Sequence, residues 1–325
     1  MKHPLGAFRS VNLVVPFHEV PSRDWFVNAL QIIGRFYRFV SLADVQSYFL
    51  EGTRFDGCCH VTFDDGHSSF YRDAFPILQR LRIPATVFVS PKVVAQRSNY
   101  WFQDLTQLQA RAGDSAIRDA ICVVFGCSRD RIDGFPVMSL FLSMRQADMQ
   151  RVLAVAKARH PVPLVVGCNI TVDELREVAA SGLVTAGAHT IDHPVLGNET
   201  DDRAGVEIRQ SVADLAEMLD RPVTAFAYPN GSEGFDFGAR EQHFLRDAGI
   251  RVAFATDVGF FDPTTNPLAI PRGGCPSLQG ESRAWTMARL MFLPFFDRGR
   301  QLMRPRALSE AGERRAIKAL QIFPN

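Results

Sequence analysis

The segment His60-Val61-Thr62-Phe63-Asp64-Asp65-Gly66 closes a β-branched, apolar run, Cys59 to Phe63, with two carboxylates and a glycine that lets the chain turn sharply. After it, Ser68 to Leu81 carries apolar residues at helical spacing, and Ala85 to Val89 is another strand-like run. Strand, helix, strand is the repeating unit of a parallel sheet. The alternation recurs along the chain. Further strands are predicted at Val11 to Pro16, Leu183 to Ala188, Thr224 to Ala227, Arg251 to Ala255 and Leu268 to Pro271, and helices at Val172 to Ser181, Asp202 to Asp220 and Asp236 to Ala248. Thr171 with Glu174 three residues on is a capping box at a helix start. The pattern implies an α/β fold with a parallel sheet, either open or closed into a barrel.

Two stretches break the rhythm. Residues 91–167 contain helix-compatible sequence, Trp101 to Arg111, Ala116 to Phe125 and Gln146 to Arg159, without clear strands, and are read as a helical insertion. The chain after Pro276 is the other. We expect one barrel domain over residues 1–276, carrying the insertion, and a basic C-terminal extension with helical character over residues 277–325.

At 46% apolar and 22% charged residues, the chain is globular rather than disordered. Thirty-six Lys and Arg against thirty-five Asp and Glu give no global field for nucleic acid, which is excluded as a partner. The charge is uneven, however. Glu281 to Asn325 holds nine basic and four acidic residues, a net +5. No apolar run is long enough for a bilayer span, and Met1 to Val20, broken by Arg9, Pro16, His18 and Glu19, offers no signal-peptide core. The expected compartment is the cytoplasm. Six cysteines without a CxxC pair read as reduced thiols.

In a parallel α/β protein the end of a strand is the rim where sites are built, so Asp64 and Asp65 stand where one carboxylate can bind a cation while its neighbour stays free as a base. Asp-Gly is also an ordinary turn. The second constellation is Ala186-Gly-Ala-His189-Thr-Ile-Asp-His193-Pro194. Two neutral imidazoles four apart can converge on one Zn²⁺ or a similar ion. This is not the helical HExxH pattern, because Pro194 disfavours the α conformation at His193, so the pair sits on a loop or single turn. Two His and one Asp make a three-ligand site with positions left for water and substrate.

The series His60-Val-Thr-Phe-Asp-Asp-Gly66, Ala74-Phe-Pro-Ile-Leu78, Ile83-Pro-Ala-Thr-Val-Phe-Val89 and Gly187-Ala-His-Thr-Ile-Asp-His-Pro-Val-Leu196 closely resembles the polysaccharide deacetylase family, carbohydrate esterase family four. Phe226-Ala-Tyr-Pro-Asn-Gly231 resembles the Ala-Tyr-Pro-x-Gly variant of the family's third motif. The resemblance runs from about Val11 to Arg272 and implies a distorted, seven-stranded (β/α) barrel that removes an N-acyl group from a sugar with the help of one divalent metal. It implies Asp65, His189 and His193 as ligands, Asp64 as general base, and an oxyanion held partly by a backbone N–H near Tyr228 to Gly231, at Tyr228 or Asn230. Zn is the leading ion, with Co, Ni, Mn and Fe as alternatives.

The chain departs from the family in two places. Ala227 and Asn230 stand where many members have Arg and Tyr, so the base needs another orienter, for which Arg272 in Ile270-Pro-Arg272 is the candidate. The same segment lacks the family's Leu-x-His, so the usual general acid is absent. His18, in Val15-Pro-Phe-His-Glu-Val20, falls at the end of the first strand and is the candidate acid. His67 and Trp101, the latter beside Tyr100 and Phe102, are candidates for the sugar pocket, although aromatics at such spacing also fit a core. The remaining histidines, among them His60, are read as structural.

The substrate expected is an amino-sugar saccharide, nucleotide- or lipid-linked, an intermediate of surface-polysaccharide assembly carrying N-acetyl or N-formyl. A second reading, from the departures, is a family member that binds saccharide without hydrolysis. The tail segment Leu290-Met-Phe-Leu-Pro-Phe-Phe296, followed by Arg298, Arg300, Arg304 and Arg306, fits a peripheral membrane contact, or docking onto the barrel or a partner copy in a homo-oligomer.

Overall fold

The protein is described from a computed structural model that covers residues 11–273 and 310–323. In chain order its elements are β1 (Leu13–Phe17), α1 (Arg23–Ile33), β2 (Arg38–Phe39), α2 (Leu42–Leu50), β3 (Cys58–Phe63), α3 (Phe75–Leu81), β4 (Ala85–Val89), α4 (Pro91–Gln96), α5 (Trp101–Phe125), α6 (Val137–Phe141), α7 (Gln146–Arg159), α8 (Val172–Ala180), β5 (Val184–Ala188), α9 (Asp201–Leu219), β6 (Ala225–Ala227), α10 (Ala239–Asp247), β7 (Val252–Val258), β8 (Ile270–Arg272) and α11 (Glu310–Ala319).

Seven strands pair in parallel in the order β1-β3-β4-β5-β6-β7-β8. The two-residue β2 adds to the start of β3 through Arg38↔Cys58 and Phe39↔Cys59. The ring closes where Gly273, just past β8, donates its N–H to Val14 O at 2.6 Å. A Cβ on Gly273 would lie 2.2 Å from Leu13 Cδ1, so a side chain here would make the Leu13 side chain shift. The outcome is a nearly closed, distorted seven-stranded barrel with helices around it, as the family resemblance implies.

Alternate strand residues divide the core. Val15, Phe17, Val61, Phe63, Val87 and Val89 pack with helix residues such as Phe26, Leu30, Phe70 and Leu78, whereas Val14, Phe88, Phe254 and Ile270 form a separate inner cluster. His60 is buried inside the barrel, with its ring nitrogens against Val40 O and Thr86 Oγ1, both at 2.9 Å.

The insertion packs a core of its own from α5, α6 and α7, with Leu105, Ile117, Leu140 and Val152 buried, and Ile317 of α11 joins it. The two helices expected at 101–111 and 116–125 form one run broken at Gly113, whose φ of 82° and ψ of 163° are not helical. α11 shows that the end of the tail docks on the molecule. The Leu290 to Phe296 segment, its following arginines and Cys275 lie outside the described residues. Among the described residues, no helix is long and apolar enough to cross a membrane.

Several sequence expectations need correction. The helix expected over Ser68 to Leu81 is present over that span, but it widens to π geometry at Phe70–Ala74, ahead of Pro76, which has no N–H to continue the ladder. The helix expected from Asp236 begins at Ala239, since the Asp236 side chain is engaged elsewhere. Two helices went unpredicted despite start signals: Ser22 accepts from Trp25 N at 3.2 Å, and Ser41 with Asp44 forms a capping box. The expected box at Thr171 is present, its N–H donating to Glu174 Oε2 at 2.8 Å.

Candidate metal centre and active-site cleft

β3 delivers Asp64 and Asp65 to the rim. The Asp64 N–H still follows the ladder, donating to Phe17 O at 2.9 Å. Asp65 and Gly66 then adopt left-handed φ values of 66° and 62°. A Cβ on Gly66 would meet Val89 Cγ1 at 2.8 Å and Ile170 Cγ2 at 2.9 Å, so this turn requires glycine on two counts. His189 follows β5. Thr190 and His193 are also left-handed, at 64° and 56°, which satisfies the bar on α conformation that Pro194 imposes. Three non-glycine residues in this sparsely populated region, all within one site, mark a backbone held to a purpose.

These turns bring Asp65, His189 and His193 together, with one donor atom of each within 4.8 Å of the others and all three residues buried. Asp65 Oδ1 lies 3.6 Å from His189 Nε2 and 3.4 Å from His193 Nε2. His189 Nδ1 is 2.7 Å from Ala227 O, which can only accept, so Nδ1 carries the proton and Nε2 offers its lone pair to the centre. Burial, partly opposed by the Asp65 charge, pushes His193 down to about 4, leaving a neutral imidazole at neutral pH. Asp65 Oδ1 is buried and accepts no hydrogen bond. A buried carboxylate oxygen facing lone pairs without a donor is what a cation would satisfy, so the residues present fit a divalent ion.

Aromatic residues from the insertion hold this centre from the side. Tyr100 donates its hydroxyl to Asp65 O at 3.1 Å, and Trp101 donates Nε1–H to His193 O at 2.8 Å. The Phe102 ring lies 5.1 Å from that of His193. Trp101 itself is buried and stacked 5.9 Å from Phe141, so it is core and cleft wall at once.

Asp64 is buried beside the centre, and Arg272 Nη1 donates to it at 2.8 Å. Arg272 is itself buried, with Nε fixed on Ala255 O at 2.7 Å. Burial alone would raise the Asp64 carboxyl, but the Arg272 charge, with smaller contributions from His18 and His189, holds it well below the usual carboxylate range. His18 Nε2 lies 3.7 Å from Asp64 Oδ2, and its side chain is 56% exposed.

A cavity of about 540 Å³ opens in front of these groups, lined among others by His18, Asp64, Phe102, Asn230, Ala311 and Arg314. Tyr228 lines it too, but its hydroxyl donates to Leu268 O at 2.8 Å and its N–H to Phe254 O at 3.1 Å. Neither Tyr228 donor is therefore available, which corrects its expected part in the oxyanion site. Pro229 has no N–H, and that of Gly231 turns back to Pro229 O at 2.7 Å in a γ-turn centred on Asn230, whose φ is 61°. Asn230 is the residue of this stretch that remains, and its Nδ2 is buried with no acceptor. His67 does not line the cavity, because its Nδ1 engages Ser69 Oγ at 2.8 Å.

The sequence reading missed the wall opposite the barrel. Arg314 of α11 pairs with Asp236 at 2.7 Å, both buried, and its guanidinium sits 4.3 Å from the Phe235 ring centroid. Nothing local distinguishes Arg314 from Arg315 beside it, so no signal in the tail could have placed it.

The polysaccharide deacetylase profile matches residues 52–121 and 134–253, more than half of the chain. Among solved structures, the Streptococcus pyogenes deacetylase PplD in complex with acetate is 16% identical with a TM-score of 0.57, covering 87% of this chain and 99% of its own. IcaB from Ammonifex degensii is 21% identical at 0.56, covering 86% and 96%. A de-N-acetylase from Aggregatibacter actinomycetemcomitans is 12% identical at 0.55, covering 85% and 99%. No curated protein sequence matches. At these identities the structures speak for the fold, and the profile speaks for descent: with its barrel, its motif order and more than half its length matched, the chain belongs to the polysaccharide deacetylase family.

Proposed function

We propose that the protein is a metal-dependent carbohydrate N-deacylase of the Ala-Tyr-Pro-x-Gly branch, releasing acetate from an N-acetylated amino sugar in a saccharide intermediate of surface-polysaccharide assembly. Residues 1–276 form its catalytic domain and 277–325 an extension. The observation that carries the reading is the buried set Asp65, His189 and His193 with Asp64 left outside it, tied instead to Arg272.

Asp65, His189 and His193 would hold the divalent ion, Zn first and Co, Ni, Mn or Fe as alternatives. When bound, the ion polarises the amide carbonyl and lowers the pKa of a water, which lets a carboxylate as weakly basic as Asp64 take its proton. Arg272 fixes Asp64 for that transfer, in the place of the Arg that many members carry in the third motif. The water oxygen bonds to the carbonyl carbon, the C–N bond breaks, and the leaving nitrogen receives a proton from His18, exposed in the cleft within reach of Asp64. The backbone N–H of Asn230 would hold the oxyanion, a preorganised donor of a kind typically worth about 3 kcal/mol.

The test is amine release from N-acetylated and N-formylated amino sugars by protein reloaded with Zn²⁺ or Co²⁺. We expect one ion per chain and turnover. Asp64→Asn should keep the ion and lose kcat by about 10² to 10⁴-fold. Saccharide binding without amine release at full occupancy would favour a binding protein instead, and failure to take up a stoichiometric ion would end the metal-dependent reading.

A further inference from the structure

Between the two histidines of the centre lies a segment that a single buried residue of another element holds in place. Glu207, on α9, is fully buried, and its Oε2 accepts the consecutive N–H groups of Ile191 at 2.8 Å and Asp192 at 3.0 Å. Its Oε1 pairs with Arg203 one helical turn earlier. The same guanidinium reaches Asp192 Oδ2 at 2.9 Å, and Lys92 of α4 holds Asp192 Oδ1 at 2.6 Å. The turn uses its other groups internally: Thr190 Oγ1 accepts from His193 N at 3.0 Å. The His189 N–H is taken by Val89 O at 3.0 Å. Glu207 thus supplies the acceptor, from outside the turn, for the two N–H groups midway between the ligands.

We propose that Glu207 is a positioning residue for the metal centre, a carboxylate clamp that fixes the 189–193 turn so that both imidazoles face Asp65 before any ion binds. The physical reason is cost and geometry together. Two adjacent left-handed turns, at Thr190 and His193, are not a conformation the chain keeps unaided, and a charged acceptor shared by two N–H groups is about the strongest hold a backbone can be given. A carboxylate taken fully out of water would be costly without partners, but here Arg203 and two N–H donors satisfy it, and its placement on the helix packed behind β5 makes the hold rigid. Ligand atoms tolerate errors of only about 0.2 Å, so slack in this turn would appear first as weaker metal affinity.

The inference rests on the metal site proposed above, and the experiment separates the two. Zn²⁺ affinity is measured by competition with a chromophoric chelator, on full-length wild type, Glu207→Leu, Glu207→Gln and Leu215→Ala, each checked for native circular dichroism. Leu215 is a buried apolar residue of the same helix. Glu207→Leu should weaken Zn²⁺ about 10 to 100-fold, the usual effect of losing a residue that orients a ligand. Glu207→Gln, whose amide oxygen can still accept both N–H groups, should recover most of that loss. Leu215→Ala should lower the melting temperature and leave affinity unchanged. Equal affinity in wild type and Glu207→Leu would overturn the clamp, as would a Leu215→Ala loss as large as that of Glu207→Leu. If wild type binds no Zn²⁺, the metal centre itself falls and the clamp with it.

Discussion

Arg272 and His60 are both buried polar residues of the barrel, and opposite physics governs them. Arg272 is surrounded by acceptors, donating to Asp64, Ala255 O and Thr62 Oγ1. Lys could carry the charge but not the fork that joins Ala255 O to Asp64. Arg272→Lys should therefore leave a folded, metal-binding protein whose kcat falls by about 10²-fold with little change in KM, as steady-state kinetics would show. His60 gives up its charge instead, held neutral by burial, which lowers it from 6.5 to about 4. A depressed histidine binds fewer protons folded than unfolded, so its stabilisation is complete above about 6.5 and is lost as pH falls toward 4. Between pH 7 and 5 that loss is about 2 kcal/mol. Urea unfolding of wild type should show this fall relative to a His60→Gln variant, which lacks the titration; parallel pH profiles would contradict it.

Elements were legible in the sequence wherever a pattern repeats. All seven barrel strands lie within two or three residues of their expected places, because parallel strands buried on both faces read as apolar runs. Asp64, Asp65, His189 and His193 were legible for a related reason: each follows such a run, and strand ends are where a barrel presents side chains. What escaped was set by contacts rather than pattern. β2 has two residues and exists only as an addition to β3, while His67 was drawn from the pocket by Ser69, its near neighbour. The capping signals were dependable, and they carry energy. Thr171→Ala removes the Oγ1 bonds at the start of α8, leaves the Thr171 N–H on Glu174 Oε2, and should cost about 1 kcal/mol. At this chain length that is a fall of roughly 2 °C in melting temperature, with activity unchanged, since α8 carries none of the site residues.

The whole molecule depends on a contact between residues 78 positions apart, which local sequence cannot announce. α11 joins the two walls of the cleft. It reaches the barrel loop through Arg314–Asp236, and the insertion through Ser139 Oγ donating to Glu313 Oε2 at 2.5 Å and Arg131 Nη2 donating to Leu320 O at 2.9 Å. Ile317, buried among insertion residues, fastens it further. The ion pair is the stringent member of this set, because both partners are withdrawn from water and each is tolerable only with the other. Arg314→Ala leaves Asp236 buried without a counter-charge, with only the Ser232 N–H on its Oδ2, and should cost about 3 to 5 kcal/mol, while the paired replacement Arg314→Met with Asp236→Leu should recover most of it. Arg315→Ala, one position along, should cost far less, since an exposed charge contributes about 0 to 1 kcal/mol. Denaturant midpoints of the four proteins decide the matter: equal losses for Arg314→Ala and Arg315→Ala would mean that α11 is not seated on Asp236 and does not tie the barrel loop to the insertion.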